Sequence, residues 1–313
     1  MLIKVCSCSD HRGFVVDERR RADPTGLTSV RRRYESDMVR RFRELKRVVM
    51  AAVVRLDVLG LKKSNRPDLT STLFGSAFAG GALPSRDAVP VPTPGEFAFE
   101  RSSQKVNAFM RWLRQAQSEG ILEVMQGTDR EIAGAAAWQN VYIDSAYQKG
   151  IRDAYSRVGQ QIPGGIGGAF NQPVHADAAG LIYTRAYEAL EGVTNVMSTS
   201  ISRTLAQGMI EGMNANELGS LLGEQIEKIG VTRGRLIART EMTAAYAEAT
   251  LNSYEEMEVE GVEVEAEVAT AGDDVVCPEC EALEGKTFSI EEARGLLPVH
   301  PNCRCALIPV VGK

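Results

Sequence analysis

Four cysteines and a histidine crowd the C-terminal end of this chain, and no other feature narrows what it can fold into as much. Cys277-Pro278-Glu279-Cys280 is followed by 19 residues and then by His300-Pro301-Asn302-Cys303-Arg304-Cys305. Two thiolates separated by two residues form a knuckle, because a tight turn points both sulfurs at one centre. A second such group at a distance completes a tetrahedron around Zn²⁺. Cys277, Cys280, His300, Cys303 and Cys305 are five candidate ligands for four places. Were Cys303 and Cys305 in fully extended backbone, their side chains would point to opposite faces. A bend at Pro301-Asn302 would instead bring His300 and Cys303 together, so a Cys₄ and a Cys₃His site both stay open. With both knuckles filled the site is closed and therefore structural, holding together a module too small to have much core of its own.

Other cysteine chemistries fit less well. A redox dithiol would use Cys277 and Cys280 at a helix N-terminus, and the second Cys/His group favours metal over redox. A zinc deaminase needs His-x-Glu upstream and a proline directly before the first cysteine. Here no histidine lies between His175 and His300, and Val276 precedes Cys277. The His-Glu-x-x-His of a zinc protease is absent. Cys6-Ser7-Cys8 with His11 mimics a knuckle, but it sits in an unpatterned arm and is not assigned to metal. The glycines of residues 159–173 lack the Lys-Ser/Thr of a phosphate loop and read as a connector. His175, after Gln172-Pro173, reads as a surface loop residue. Arg239-Thr240-Glu241 reads as a polar stripe on a helix, with no nucleophile and base beside it.

Aromatic residues make up only 6% of the chain, so the expected core is built from Ala, Val, Leu, Ile and Met, which favours helices. Apolar residues recur at spacings of three and four from Val30 to about Leu61, through Met38, Phe42, Leu45, Val49 and Ala52. The opposite face of that helix carries Arg32, Arg33, Arg40, Arg43 and Arg47. Helical spacing returns over roughly 100–157, with breaks near Gly120 and Gly127, and again over 177–212. A short helix with Asn216 as N-cap comes next, then a long helix capped by Thr232. After Gly261 the period falls to two, with Val262, Val264, Ala266 and Val268 alternating with glutamates, which predicts a half-buried strand with an acidic outer face.

The expected fold is mainly α, a helical body with a small C-terminal α+β zinc-knuckle module. The expected divisions are a basic N-terminal arm and helix over 1–63, a Pro/Gly-rich linker over 64–99, the helical body over 100–257, and the acidic strand and Cys/His module over 258–313. Charge is unevenly spread. Residues 1–63 hold 16 Lys/Arg against 8 Asp/Glu, and residues 241–313 hold 4 against 16. Such a chain suits a polyanion at its head and a protein partner at its tail. Neither a signal-peptide pattern nor a membrane-spanning apolar run is present, so synthesis in the cytosol without membrane association is expected.

The order Ile237-Ala238-Arg239-Thr240-Glu241, acidic strand, Cys277-Pro278-Glu279-Cys280, Leu283-Glu284-Gly285-Lys286 and His300-Pro301-Asn302-Cys303-Arg304-Cys305 resembles the phage head morphogenesis family of the Mu F type, the minor head or minor capsid proteins. The resemblance is specific over about 230–310 and looser over 100–230; no motif covers 1–95. Glu284 stands where the family commonly has Asp, a conservative departure. The resemblance implies a virion protein present in few copies at or near the portal vertex, aiding capsid assembly and DNA packaging or delivery. The implied partners are the portal protein and the major capsid or scaffolding protein; by its charge, the basic N-terminal helix and arm are expected to contact viral DNA or an acidic portal surface. Some relatives carry a toxin or ADP-ribosyltransferase domain beyond the cysteines. The few residues after Cys305 leave no room for one, so a non-enzymatic role is expected. The rival readings are a zinc-dependent nucleic-acid-binding regulator, against which the acidic knuckle region argues, and a hydrolase or toxin, which lacks a catalytic constellation.

Overall fold

The computed structural model describes residues 23–61, 92, 94–98, 102–123 and 130–311. The arm with Arg19 to Arg21, the Cys6-Cys8-His11 group and most of the Pro/Gly-rich stretch lie outside these residues. The fold is mainly α-helical with one small C-terminal sheet. Its contacts divide into two compact units. One comprises Met1–Asp37, Asp129–Ala189 and Gly234–Lys313, the other Met38–Thr128 and Leu190–Arg233. Two long helices, α1 (Thr28–Met50) and α6 (Pro173–Glu211), contribute residues to both.

In the first unit, α4 (Asn140–Val158) crosses α8 (Thr232–Val259) at Gly150. A Cβ on Gly150 would lie 2.6 Å from the Tyr246 carbonyl oxygen and 2.7 Å from the Ala249 Cβ, so only glycine permits this approach. The buried core is built mainly from Ala, Val, Leu, Ile and Met, as expected, with a set of tyrosines added to it. The largest fully buried side chains include Tyr34, Tyr147, Tyr155, Tyr246 and Tyr254. Few aromatics are present, but they are concentrated inside, where a tyrosine combines a large apolar ring with a hydroxyl that must find a partner. Tyr34 stacks on Tyr142 at 4.9 Å, packs edge-on to Trp138, and donates to the Gln139 Oε1 at 2.9 Å. Tyr246 donates to Asp153 at 2.8 Å. Burial pushes the Tyr147, Tyr155 and Tyr246 hydroxyls well above their ordinary range, which keeps them as donors.

His175 is likewise not a surface loop residue. Pro173 begins α6, and His175 in its first turn is fully buried. Its Nδ1 lies 3.0 Å from the Tyr147 hydroxyl and its Nε2 lies 3.3 Å from Glu256. Tyr147 can donate only once. The Glu256 carboxylate only accepts, so Nε2 carries a proton toward it, and in the neutral ring Nδ1 accepts from the Tyr147 hydroxyl, whose oxygen takes the Asn252 Nδ2–H at 2.9 Å. The connector before it also contains a short helix, α5 (Gly165–Phe170), whose Phe170 packs edge-on to Tyr147.

The sheet has strand order β2-β1-β3, all antiparallel, with β1 (Val264–Ala269), β2 (Thr287–Phe288) and β3 (Ala306–Val311). Val264, Ala266 and Val268 are buried and Glu265 is exposed, the alternation that the period-two pattern predicts. Val268 exchanges backbone hydrogen bonds on the β2 side, with Lys286 and Gly285. Its partner Leu307 therefore points its backbone away from β1, as does Pro309. Arg157 on α4 occupies the Leu307 carbonyl at 3.2 Å, and Pro309 has no N–H to offer. Together they blunt the outer edge of β3.

In the second unit, α1 runs on through a wide π-turn (Ala51–Arg55) and lies along α7 (Ala215–Ile226) and the π-turn after it (Glu227–Val231). A Cβ on Gly230 would fall 2.3 Å from the Phe42 ring, and one on Gly219 2.5 Å from Val54. Met38, Phe42, Leu45, Val49 and Ala52 are all buried, so the apolar stripe of α1 is its packing face. Helix α2 (Ser102–Gln117) also ends in a π-turn (Ser118–Leu122), closed by Glu123 in the left-handed region. Helix α7 starts with a capping box between Asn214 and Glu217, so the cap is Asn214 and not Asn216. Thr232 is not an extended N-cap of α8 but the residue that closes the π-turn, its N–H donating to the Ile229 carbonyl. It has helical backbone at the point where the π-turn passes into α8.

Candidate metal centre

The knuckle begins at the N-terminus of the four-residue helix α9 (Pro278–Glu281). Cys277 is its extended N-cap, Pro278 starts the turn, and Cys280 falls inside it. The Cys277 carbonyl accepts from the Glu281 N–H at 2.9 Å and the Cys280 carbonyl from the Leu283 N–H at 3.0 Å, which closes the turn. In the second group the expected bend is present. Cys303 N–H donates to the His300 carbonyl at 3.1 Å, and Asn302 takes a φ of +68°. Proline second and asparagine third with positive φ is the chemistry of a type II turn.

All five candidate ligands are buried, at 8% exposure or less. Their donor atoms form two trios that share Cys280: Cys277, Cys280 and His300, and Cys280, Cys303 and Cys305. Within each trio the atoms lie within 4.8 Å of one another. Cys303 and Cys305 thus face the same centre, and the opposite-face arrangement of an extended strand is not adopted. His300 Nε2 is 3.1 Å from both the Cys277 and the Cys280 sulfur, and the Cys280 and Cys303 sulfurs are 4.0 Å apart. Around tetrahedral zinc the corresponding edges are about 3.8 Å between sulfurs and about 3.5 Å between sulfur and nitrogen, so the donors stand within a few tenths of an ångström of ligand spacing. His300 Nδ1 lies 2.7 Å from the Pro301 carbonyl, which can only accept. That bond places the proton on Nδ1 and leaves the Nε2 lone pair aimed at the sulfurs, the state a metal-binding imidazole needs.

The thiols act strongly on one another. Contact with the Cys303 and Cys305 sulfurs, together with burial, pushes the Cys280 thiol far above the ordinary range. Contact with the Cys280 and Cys305 sulfurs and with backbone N–H groups of Cys305 and Val299 pushes Cys303 far below it. Several thiols crowded in a buried volume cannot ionise together without a compensating positive charge. The residues present therefore fit a soft, tetrahedral divalent ion, with thiolates and one imidazole as donors.

Three holding groups were not legible in the sequence. Arg304, between the last two cysteines, makes two 2.6 Å hydrogen bonds to Asp273, four residues before Cys277. Asp273 also receives the Val275 N–H at 3.1 Å on its carboxylate. From α8, Thr243 donates to the Cys303 carbonyl at 3.1 Å, and the Thr240 hydroxyl accepts the Asn302 N–H at 3.3 Å. Thr240 and Glu241 are buried, so Arg239-Thr240-Glu241 is not a solvated stripe. Glu241 binds Arg185 at 2.8 Å. The available signal was the polar triplet itself, in a helix otherwise rich in alanine.

The five arginines singled out on α1 all lie exposed along one side of it, Arg32 and Arg33 in the first unit and Arg40, Arg43 and Arg47 in the second. Their neighbours Arg31 and Arg41 turn inward, Arg41 to the Gly120 carbonyl at 3.3 Å and to Glu123. Arg47 is paired with Glu44 at 2.9 Å. No helix among the described residues is long and apolar enough to cross a membrane.

Compared with known proteins, residues 199–308 match the model of a family described as Phage Mu protein F like protein. No curated protein and no solved structure matches the chain. The matched stretch contains the end of α6, α7, α8, the sheet up to β3 and all five donors. Over residues 199–308, then, the chain is similar to the phage Mu F-like family.

Proposed function

We propose that the protein is a structural minor head protein of a tailed bacteriophage, located in the virion at the portal vertex and serving capsid assembly and DNA packaging or delivery. The observation that carries the reading is the coincidence of the Mu F-like match with the module that gathers the five buried donors. The module is held by a structural zinc ion, bound by ligands from Cys277, Cys280, His300, Cys303 and Cys305. Bound there, zinc supplies charge compensation and a crosslink between the two halves of the module, and it has no catalytic task. Non-enzymatic action follows from this closed site. The exposed arginines of α1 face packaged DNA or an acidic portal surface, and the helical body meets portal subunits, with major capsid or scaffolding protein as further neighbours.

Quantitative mass spectrometry of purified mature particles, with unpackaged proheads beside them, tests this. A few copies per particle in both samples are expected. Presence in proheads alone would make the protein an assembly factor that leaves before maturation. Absence from both would overturn the head-protein reading in favour of a metal-dependent nucleic-acid-binding regulator working in the host cytoplasm.

A further inference from the structure

The two halves of the donor cluster are far apart in sequence, and side chains that are not themselves ligands join them. Arg304 and Asp273 are only 19% and 13% exposed, and the guanidinium meets both carboxylate oxygens at 2.6 Å. Asp273 belongs to the loop leading into Cys277, and Arg304 to the segment carrying Cys303 and Cys305. Their contact spans the two segments that must meet at the ion. The Asp273 carbonyl and carboxylate also accept the Val276 and Val275 N–H groups, at 3.1 Å each, so the carboxylate is tied to the backbone just before the knuckle. Thr240 and Thr243, one helical turn apart on α8, hold the backbone of Asn302 and Cys303 from the other side. None of these contacts needs an ion.

We propose that Asp273 and Arg304 are positioning residues of the metal centre, a bidentate clamp that, with Thr240 and Thr243, sets the second ligand group against the first before the metal arrives. The inference rests on the metal-binding reading of the module. It distinguishes this site from small zinc modules whose ligands are gathered only by the ion. A planar guanidinium is required, because an ammonium is a point charge that cannot reach both oxygens in parallel. Partners of this outer kind typically control metal affinity by about tenfold to a hundredfold.

The test uses the full chain, stripped of metal and titrated with Co²⁺ against a chelator of known affinity, with the visible bands of tetrahedral thiolate coordination as readout. Asp273→Asn, Arg304→Met and Arg304→Lys are each expected to weaken Co²⁺ binding about tenfold or more, with band positions and far-ultraviolet circular dichroism unchanged. The Asp273→Asn/Arg304→Met double variant should be scarcely worse than either single, since both remove one interaction. Wild-type affinity in the single variants, full rescue by Arg304→Lys, or additive losses in the double would overturn the clamp. Failure of the unaltered protein to bind Co²⁺ at all would instead overturn the metal reading on which it stands.

Discussion

Glu241 shows how a single buried residue in this protein shapes its behaviour. Burial in α8 pushes its carboxyl above the ordinary range, and Arg185, which is half exposed, offsets only part of that. A group whose folded pKa is raised contributes stability that is complete below its unfolded value, about 4.3, and is lost as pH rises through the folded value. Replacing it with an amide keeps an acceptor for Arg185 and removes the buried charge. Glu241→Gln is therefore expected to be within about 1 kcal/mol of the parent, neutral or slightly stabilising near neutral pH. It should also flatten the decline in stability above about pH 4.3. Urea unfolding across pH 4 to 8 checks this; a parent and variant that run parallel throughout would show that Glu241 does not titrate differently on folding. The five candidate metal ligands illustrate the same scale. Their spacing in sequence announced a site, but the tautomer of His300 depends on a bond to its own neighbour, Pro301.

At the scale of elements, α1 does two jobs with one periodicity. Its apolar residues, three and four apart, make a buried face, and the arginines left over fall within about 100° of its circumference. The inward turn of Arg31 and Arg41 shows that helical phase decides the fate of each basic residue. If this face contacts DNA phosphates, retention on duplex DNA should fall steeply with salt, with a slope in log–log form of about −0.9 for each phosphate neutralised. Changing Arg40 and Arg43 together to Gln should reduce that slope by about two. Salt-insensitive retention, or an unchanged slope, would remove DNA from the contacts of α1. The pattern also predicted the strand at β1 correctly, because one face of an antiparallel strand is buried and the other is not. It did not reveal the π-turns, each of which adds a residue to a turn without disturbing the apolar rhythm enough to be seen.

For the molecule as a whole, the cysteine module and the tyrosine-rich helices α4 and α8 lie in one compact unit, although the chain reaches them in separate visits. Arg157 on α4 holds β3, and Arg294, beyond α10 (Ile290–Ala293), holds Asn252 and Glu248 on α8 at 2.8 and 3.0 Å. Metal removal should thus destabilise that unit without unfolding it outright. Ligand binding at a thousandfold excess over Kd contributes about 4 kcal/mol, so chelation is expected to lower its melting temperature by on the order of 10 °C. Calorimetry with and without a strong chelator should show the unfolding transition moving to lower temperature on chelation. An unmoved transition would mean that no ion contributes to the folded state.

Local chemistry was legible from the chain alone. Helical and strand periods, the turn within each half of the donor cluster and the proline–asparagine bend depend on residues close in sequence, whose geometry is set by backbone sterics and by the reach of a turn. What only the tertiary structure decided are the pairings that cross long separations. These are the buried place of His175 beneath Tyr147 and Glu256, the threonines of α8 under the second ligand group, and the clamp of Arg304 on Asp273. A buried polar side chain must be satisfied, but its sequence neighbourhood does not say by whom. The partner is whichever group packing brings within 3 Å or so, and packing is a property of the folded chain as a whole.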